Sequence, residues 1–273
     1  MSIAIGIVVG LMLGLTGAGG SVFAVPLLML GMHWTLPQAA PVALIAVCAA
    51  AAFGTVAAWD VSYVRYRAAM LMSLVGLVTA PLGLLAAAAL PGAALTTLFA
   101  AVLVIVALRM MLQARRHPEE AQVVRATVAG DGTPSGGPLC RIKPGTGRLL
   151  WTRTCTLTIA AIGALTGFLS GLLGVGGGFV IVPSLRASSE LSVHSAVATS
   201  LMAIALTSAG TVLVSLLLGR TMLWAAAVPF VIGALAGMFA GRRIAPRIAG
   251  PLLQQGFAAM MLGAAGVLMM KSL

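Results

Sequence analysis

Charged residues are scarce in this sequence. Only 8% of its 273 residues are charged, whereas 60% are hydrophobic and the mean hydropathy is +1.11. A water-soluble domain carries about 25% charged residues to cover its surface. The composition therefore excludes a soluble globular domain.

Acidic residues are rarer still, with five Asp and Glu against sixteen Lys and Arg and a net charge of +11. The basic residues occur in short loops between apolar runs and in one central linker, with no basic surface interleaved with aromatic residues that could hold a strand. This excludes nucleic-acid binding. It is the distribution that the positive-inside rule produces in membrane proteins.

Cysteine is also rare, at positions Cys48, Cys140 and Cys155. These residues form no CxxC motif and no Cys/His cluster, so we expect neither a disulfide framework nor a metal site. The apolar segments contain no combination of nucleophile, base and orienting group. We therefore predict a protein that is not an enzyme and that needs no cofactor.

Long hydrophobic runs are abundant, and each is long enough to cross a hydrocarbon core of roughly 30 Å. We predict an all-α polytopic protein of the cell inner membrane, with about 8 to 10 transmembrane helices. Residues 1–113 form a first transmembrane repeat, 114–149 a polar cytoplasmic linker rich in Gly and Pro, and 150–273 a second repeat. Membrane lipid is then its main solvent.

The two sets of apolar segments resemble each other. With a shift of 157 residues, the segment from Gly14 to Ser21 falls on the segment from Gly171 to Gly178, and Pro26 falls on Pro183. Such internal duplication is typical of transporters built from repeats.

Charge predicts how the halves are oriented. If the first and fifth segments break at their glycines and return to their starting side, the second half is inverted relative to the first. Fourteen of the sixteen basic residues then lie on one side, including the cluster Arg242, Arg243 and Arg247. The positive-inside rule makes that side the cytoplasm.

The glycine-rich breaks are the candidate substrate site. Unwound backbone at membrane depth is tolerated only when protein or a water-filled cavity surrounds it. The helix that restarts after each break would aim free N–H groups and a positive dipole end at an anion. The predicted substrate-binding residues are Gly17, Gly19, Gly20, Ser21, Gly174, Gly176, Gly177, Gly178, Thr199 and Ser200.

A packing role is the competing interpretation. The small-xxx-small spacings at Gly10/Gly14 and Gly167/Gly171 let membrane helices approach closely without any ligand. The sixth segment carries the hydroxyls of Thr199, Ser200, Thr207, Ser208 and Thr211. Any one of them most often bonds back to its own helix, but as a group they could line the site, and we expect Thr199 and Ser200 close to the second glycine loop. Repetition of the glycine break in both halves, each time followed by proline, favours a site.

The paired motifs GLTGAGGSVFAVPLL and GLLGVGGGFVIVPSL, the second followed by SVHSAVATSLMAIALTSAGTV, resemble the signature repeats of the sulfite exporter TauE/SafE family. The resemblance implies a permease that exports sulfite, sulfonates or related organosulfur and organic acids by alternating access, driven by the proton gradient. The first signature is weaker, because Ser21 stands where a glycine is usual and Pro41 to Leu44 replaces the Thr-Ser region.

Several alternatives stay open at this stage. An importer or channel for the same anions fits the sequence, and so does a non-transporting membrane assembly subunit in which the glycines only pack helices. The identity of the substrate, the transport direction, the coupling ion, homo-oligomer formation and the role of the 114–149 linker are left undetermined by the sequence.

Overall fold

The structure is a computed structural model that describes residues 1–57, 64–116, 140, 151–189, 193–219, 223–248 and 251–272. These residues are almost entirely helical, and the β-structure among them is one isolated bridge between Cys140 and Ser189. The helices are α1 Ser2–Thr16, α2 Ala24–Met32, α3 Leu36–Val56, α4 Tyr66–Ala89, α5 Gly92–Arg116, α6 Arg153–Leu173, α7 Gly178–Ser188, α8 Val193–Leu217, α9 Trp224–Ile248 and α10 Pro251–Ser272.

Six of the described helices are long and apolar enough to cross a membrane, namely α3, α4, α5, α6, α8 and α9. Large apolar side chains such as Leu74, Val78 and Leu157 are exposed on their outer surfaces. An exposed apolar surface of this kind suits contact with lipid tails. The prediction of an all-α polytopic membrane protein is confirmed.

The first half begins with a helical hairpin. Between α1 and α2 the chain forms a 3-10 segment, Gly17–Phe23. A methyl group built on Gly20 would lie 2.5 Å from Leu13 Cα. At the other end of the hairpin, the Ser2 hydroxyl lies 3.5 Å from the Met32 sulfur. The chain therefore enters, breaks and returns to its starting side, as the glycines predict.

The second half begins in the same way. Helix α6 ends at Leu173, a glycine loop follows, and α7 begins at Gly178. A methyl group on Gly177 would lie 2.7 Å from Thr166 O, eleven residues back along the chain. A distance this short requires the chain to reverse, so α7 runs back along α6.

The helix pairs follow a twofold pattern. Helix α1 packs on α9 as α6 packs on α4, α3 packs on α9 as α8 packs on α4, and the corresponding pairs α3 with α8 and α5 with α10 also meet. If the two halves are exchanged, the first two kinds of contact are interchanged, and the α3–α8 and α5–α10 contacts map onto themselves. The halves are therefore interlocked, since each supplies the packing surface for the other's hairpin.

Glycines line the two tightest of these interfaces. The glycines of α1 lie against the α9 backbone at Phe230, Ala234 and Met238, and those of α6 lie against the α4 backbone at Met72, Gly76 and Ala80. The glycines concerned are Gly6, Gly10 and Gly14 on α1 and their counterparts Gly163, Gly167 and Gly171 on α6. In both interfaces, glycines later along one helix meet residues later along the other. Helix α1 therefore runs parallel to α9, and α6 runs parallel to α4.

Corresponding helices of the two halves run in opposite directions. The Cys48 sulfur of α3 lies 3.5 Å from Ala205 O of α8. A methyl group on Gly54, six residues later on α3, would lie 3.1 Å from Leu201 Cδ1, four residues earlier on α8. Helices α3 and α8 therefore pack antiparallel, and the second half is inverted relative to the first.

One end of the bundle, here called the basic face, is where α4, α6 and α8 begin and where α3, α5 and α9 end. Arg65 and Arg67 lie there at the start of α4, Arg153 at the start of α6, and Arg242 and Arg243 near the end of α9. The opposite end, called the far face, is where α1, α3 and α9 begin. The structure thus places these arginines together, as the charge pattern predicts.

The expectation of no disulfide is wrong. Cys140 and Cys155 form a disulfide with a Cα–Cα distance of 5.0 Å. The Cys140 N–H also donates to Ser188 O at 2.9 Å, at the end of α7. Cys140 therefore links the start of α6 to the end of α7 on the basic face, a pairing that cysteine spacing in a sequence does not reveal.

Candidate functional site

The glycine loop of the second half has a backbone that other residues rarely adopt. Gly174, Gly176 and Gly177 have φ angles of +71°, +74° and +66°. An L-residue in this left-handed region costs roughly 1 to 2 kcal/mol. The loop can therefore open between two helices at this point because its sequence is glycine-rich.

This loop is packed closely by other elements. A methyl group on Gly174 would lie 2.7 Å from Ala40 Cα of α3. One on Gly176 would lie 3.0 Å from Val47 Cγ1 of α3 and 3.4 Å from Ile204 Cγ2 of α8. Val47 and Ile204 are corresponding residues of the two halves, so Gly176 lies close to the pseudo-twofold axis.

Helix α7 begins at this loop with its N-terminus inside the protein. The first N–H groups of a helix have no helical partner, and they carry a partial positive charge of roughly half a unit. The first bond here is from the Val180 N–H to Gly177 O, at 3.1 Å. By helix geometry the N–H groups of Gly178 and Phe179, which precede it, have no acceptor within the helix.

Ser208 of α8 supplies a hydroxyl to the same place. It is fully buried, and within the described part of the chain its Oγ has no hydrogen-bond partner. A methyl group on Gly176 would lie 2.9 Å from this oxygen. A buried polar group without a partner costs about 1 to 3 kcal/mol, so Ser208 points to a ligand that would bond to it.

The neighbouring hydroxyls are satisfied, which sets Ser208 apart. Thr207 donates to Ala203 O and Thr211 to Thr207 O, each at 2.8 Å. Thr166 on α6 donates to Ile162 O at 2.6 Å. Such bonds to the preceding turn are the usual fate of membrane hydroxyls.

A row of buried hydroxyls continues from Ser208 along α8 toward the far face. Thr211 lies 3.5 Å from the Ser170 hydroxyl of α6, and Ser215 follows one turn later. Ser215 and Gly174 both line a cavity of about 30 Å³ between the start of α3 and the end of α4. Among the described residues, Ser215 is the one polar side chain in the lining of this cavity, which otherwise consists of apolar residues and glycines.

The first glycine segment is built differently. Its backbone stays right-handed, and the Ala24 N–H donates to Ser21 O, so the 3-10 segment passes directly into α2. Ser21 is fully buried. The surroundings of Gly17 and Gly19 lie outside the part of the chain that the structure describes. The segment contacts α7 and α8, which brings the two glycine-rich stretches together.

The two halves are thus unequal at the site. We expected two equivalent helix starts, and the structure has one open helix start, in the second half. With a shift of 156 or 157 residues, Ser208 falls on Ala52 or Ala51 of the first half, neither of which carries a hydroxyl. The polar groups therefore come chiefly from the second half. The weaker first signature in the sequence indicates the same asymmetry.

Thr199 and Ser200 lie near the basic-face end of α8. The Thr199 hydroxyl accepts a hydrogen bond from the Arg65 N–H at 3.0 Å, and the Ser200 hydroxyl donates to Val197 O at 2.7 Å. Thr199 precedes Ser208 by nine residues, about 13 Å along the helix axis. We expected these two hydroxyls beside the second glycine loop, and the structure places the Ser208 hydroxyl there. The role of Thr199 and Ser200 in binding stays a prediction.

Sequence reasoning included Ser208 in the set of α8 hydroxyls without selecting it. Its position offered one signal, because Ser200, Ile204 and Ser208 follow a spacing of four and share a helix face. The absence of a backbone partner for its hydroxyl depends on the rotamer and could not be read from the spacing. Cys140 and Cys155 were likewise missed as a pair.

Comparison with known proteins agrees with the architecture. The sequence matches the profile of the family described as Sulfite exporter TauE/SafE over residues 2–269. It is 32% identical over 256 residues to a "Probable membrane transporter protein" of Xylella fastidiosa strain 9a5c, covering 90% of this chain and 85% of that protein. A protein of the same name from strain Temecula1 is 31% identical over 252 residues, covering 91% and 85%. No solved structure matches the chain significantly.

Proposed function

The chain belongs to the sulfite exporter TauE/SafE family, and on that premise we propose that it exports small anions across the cell inner membrane, with the glycine loop of the second half as the binding site. The substrate class is sulfite, sulfonates and other small organosulfur or organic acids. The basic face lies in the cytoplasm, following the positive-inside rule. The transport is proton-coupled.

One observation carries this proposal above the others. The unpartnered hydroxyl of Ser208 and the open N-terminus of α7 meet at Gly176. A small oxyanion placed there would accept hydrogen bonds from both, and its charge would meet the positive end of the helix dipole. A helix pair that only packed would not require a buried hydroxyl without a partner.

The inverted arrangement supports alternating access. Corresponding helices α3 and α8 pack antiparallel across the pseudo-twofold axis, and Val47 and Ile204 of these helices flank Gly176. In inverted-repeat transporters a site at this axis is reached from either side as one repeat rocks against the other. The hydroxyl row and the cavity would form the access from the far face.

Anion flux in proteoliposomes containing the full chain tests the proposal. We expect sulfite or methanesulfonate flux well above that of protein-free vesicles, and we expect the sulfite flux to respond to an imposed proton gradient. Ser208→Ala should lower the affinity roughly tenfold to a hundredfold, because a hydrogen bond to a charged group contributes about 1.5 to 3 kcal/mol.

Thr97→Ala is the matched control, because the Thr97 hydroxyl is exposed and donates to Ala93 O of its own helix. Its flux should equal that of the wild type. Sulfite flux that does not respond to the proton gradient would indicate a channel. No flux of any small anion by the folded protein would favour a non-transporting assembly subunit.

A further inference from the structure

We infer that the site at Gly176 binds the singly charged, protonated form of a weak oxyacid, such as hydrogen sulfite, so that the coupling proton crosses the membrane on the substrate itself. This inference rests on the proposed function and adds to it the charge state of the substrate and the carrier of the proton.

The positive charge available at the site is small. The N-terminus of α7 supplies about half a unit, and Ser208 supplies a neutral hydroxyl. Together these groups suit one negative charge. A second charge on the anion would be buried without compensation, which a low-dielectric site strongly disfavours.

The charged residues of the surrounding helices lie far from the site, as measured along the helix axes. Arg153 is at the start of α6, about 30 Å from its inner end, and Arg186 is about 12 Å along α7 from Gly178. On α8, His194 precedes Ser208 by fourteen residues, about 21 Å. On the helices that pack against α3 and α8, Arg242 bonds to Gly54 O and Arg67 lies at the start of α4.

The titratable side chain nearest the site on α3 is the Cys48 thiol. It follows Val47, which lies beside Gly176, and it points its proton to Ala205 O at 3.5 Å. A thiol engaged with a backbone carbonyl is a poor proton relay. It is nevertheless included among the test variants below.

The chain has five acidic residues in all. The five are Asp60, Glu119, Glu120, Asp131 and Glu190, which all fall outside the described residues, so the described helices contain no Asp or Glu. Membrane carriers that couple to protons commonly use carboxylates or histidines at membrane depth. Since the described helices contain no Asp or Glu and His194 precedes Ser208 by about 21 Å along α8, the anion is the carrier that we assign to the proton.

The balance of the proposed step is simple. One hydrogen sulfite ion, HSO₃⁻, binds on one side, crosses and leaves on the other, where it dissociates into SO₃²⁻ and H⁺. No bond to the protein forms. Each turnover moves one proton, one sulfite group and one net negative charge.

Binding of three anions to the purified full chain, measured by calorimetry across neutral pH, tests the inference. Methanesulfonate carries one charge at every such pH, sulfate carries two, and sulfite passes from one to two because hydrogen sulfite loses its proton near neutrality. We expect a pH-independent Kd for methanesulfonate. For total sulfite the Kd should rise about tenfold per pH unit on the alkaline side, and sulfate should bind far more weakly.

Control variants distinguish a proton carried by the substrate from a proton carried by a side chain of the protein. Cys48→Ser, Asp60→Asn and Glu190→Gln should leave the pH dependence of sulfite binding unchanged. Sulfate binding as tight as that of methanesulfonate, a methanesulfonate Kd that itself varies with pH, or a changed profile in one of these variants would overturn the inference while leaving the proposed function intact. Failure of all three anions to bind would instead overturn the proposed function.

A second readout follows the proton directly. In proteoliposomes loaded with a pH indicator, sulfite uptake at slightly acidic external pH should acidify the lumen, and methanesulfonate uptake should not. Acidification by methanesulfonate would show that the protein moves the proton, which contradicts the inference.

Discussion

The Ser208 hydroxyl faces the backbone of Gly176, so closely that a methyl group on that glycine would lie 2.9 Å from Ser208 Oγ. In the described structure no donor or acceptor meets this buried oxygen. The relationship combines an open helix start with an unsatisfied hydroxyl at one point near the pseudo-twofold axis. Such unsatisfied groups are few in folded proteins and occur often where ligands bind.

Ser208→Ala should leave stability unchanged or raise it slightly in the absence of anions, because it removes a buried polar group that makes no bond. Ser73→Ala is the matched comparison, since the Ser73 hydroxyl is buried and donates to Ala69 O at 2.7 Å. Its loss should cost about 1 kcal/mol. Thermal unfolding in detergent distinguishes the two, and equal destabilisation would mean that Ser208 has an internal partner.

Gly176→Ala should fold but lose anion binding. Its φ of +74° costs an alanine roughly 1 to 2 kcal/mol, and the new methyl group would press against the Ser208 hydroxyl at 2.9 Å. Gly219→Ala is the control, because Gly219 has φ +71° and no atom within 4 Å of the added carbon. Gly219→Ala should show the loss of stability from backbone strain alone, Gly176→Ala should lose more because of its contacts with Ser208 and Val47, and only Gly176→Ala should lose affinity. If both bind methanesulfonate normally, the loop is not the site.

Gly177→Ala is a stability variant rather than a test of binding. Its methyl group would lie 2.7 Å from Thr166 O, a backbone atom that cannot move aside. Left-handed strain and this overlap act together, so we expect a loss larger than that of Gly176→Ala. Comparison of the two midpoints by thermal unfolding checks the order, and a smaller loss for Gly177→Ala would contradict the described packing.

The glycine interfaces of the two halves should respond alike. Gly10→Ala and Gly167→Ala each place a methyl group against the backbone of the partner helix, at Ala234 and Gly76 respectively, and overpacking of this kind costs typically about 1 to 3 kcal/mol. Gly263→Ala on α10 meets open space and should stabilise its helix by roughly 0.5 to 1 kcal/mol. Strong destabilisation by only one of the first two would argue against equivalent interfaces.

Thiol labelling tests the disulfide. Protein purified without reductant and then denatured should take one maleimide adduct, on Cys48, and three after reduction, because Cys140 and Cys155 are bonded to each other. Cys48→Ser should take none before reduction. Three adducts without reductant would show that the pair is reduced in the isolated protein.

The repeated hairpins were predictable, because the glycine letters recur with a constant shift and unwound backbone at membrane depth has few explanations. The inversion followed from charge alone. The difference between the two breaks was not predictable. Gly17, Gly19 and Gly20 correspond to Gly174, Gly176 and Gly177. Glycine adopts right-handed and left-handed backbone conformations with similar ease, so the choice depends on packing, against Leu13 in the first half and against Thr166 in the second.

The site residue itself was the hardest to predict. Ser208 and Thr207 are adjacent hydroxyl residues on the same buried helix, and only the structure separates the one that bonds to its own backbone from the one that does not. That choice depends on side-chain rotamers and on the α3 and α7 surfaces that pack nearby. Sequence periodicity carries no information on either.

The most direct measurement is an experimental structure determined with selenite, a heavy analogue of sulfite whose selenium can be located by anomalous scattering. The account predicts a selenium peak at the N-terminus of α7, with one oxygen within hydrogen-bond distance of Ser208 Oγ and others facing the Gly178 and Phe179 N–H groups. A peak at the basic face beside Arg242 or Arg65, with the space before Ser208 empty, would contradict it.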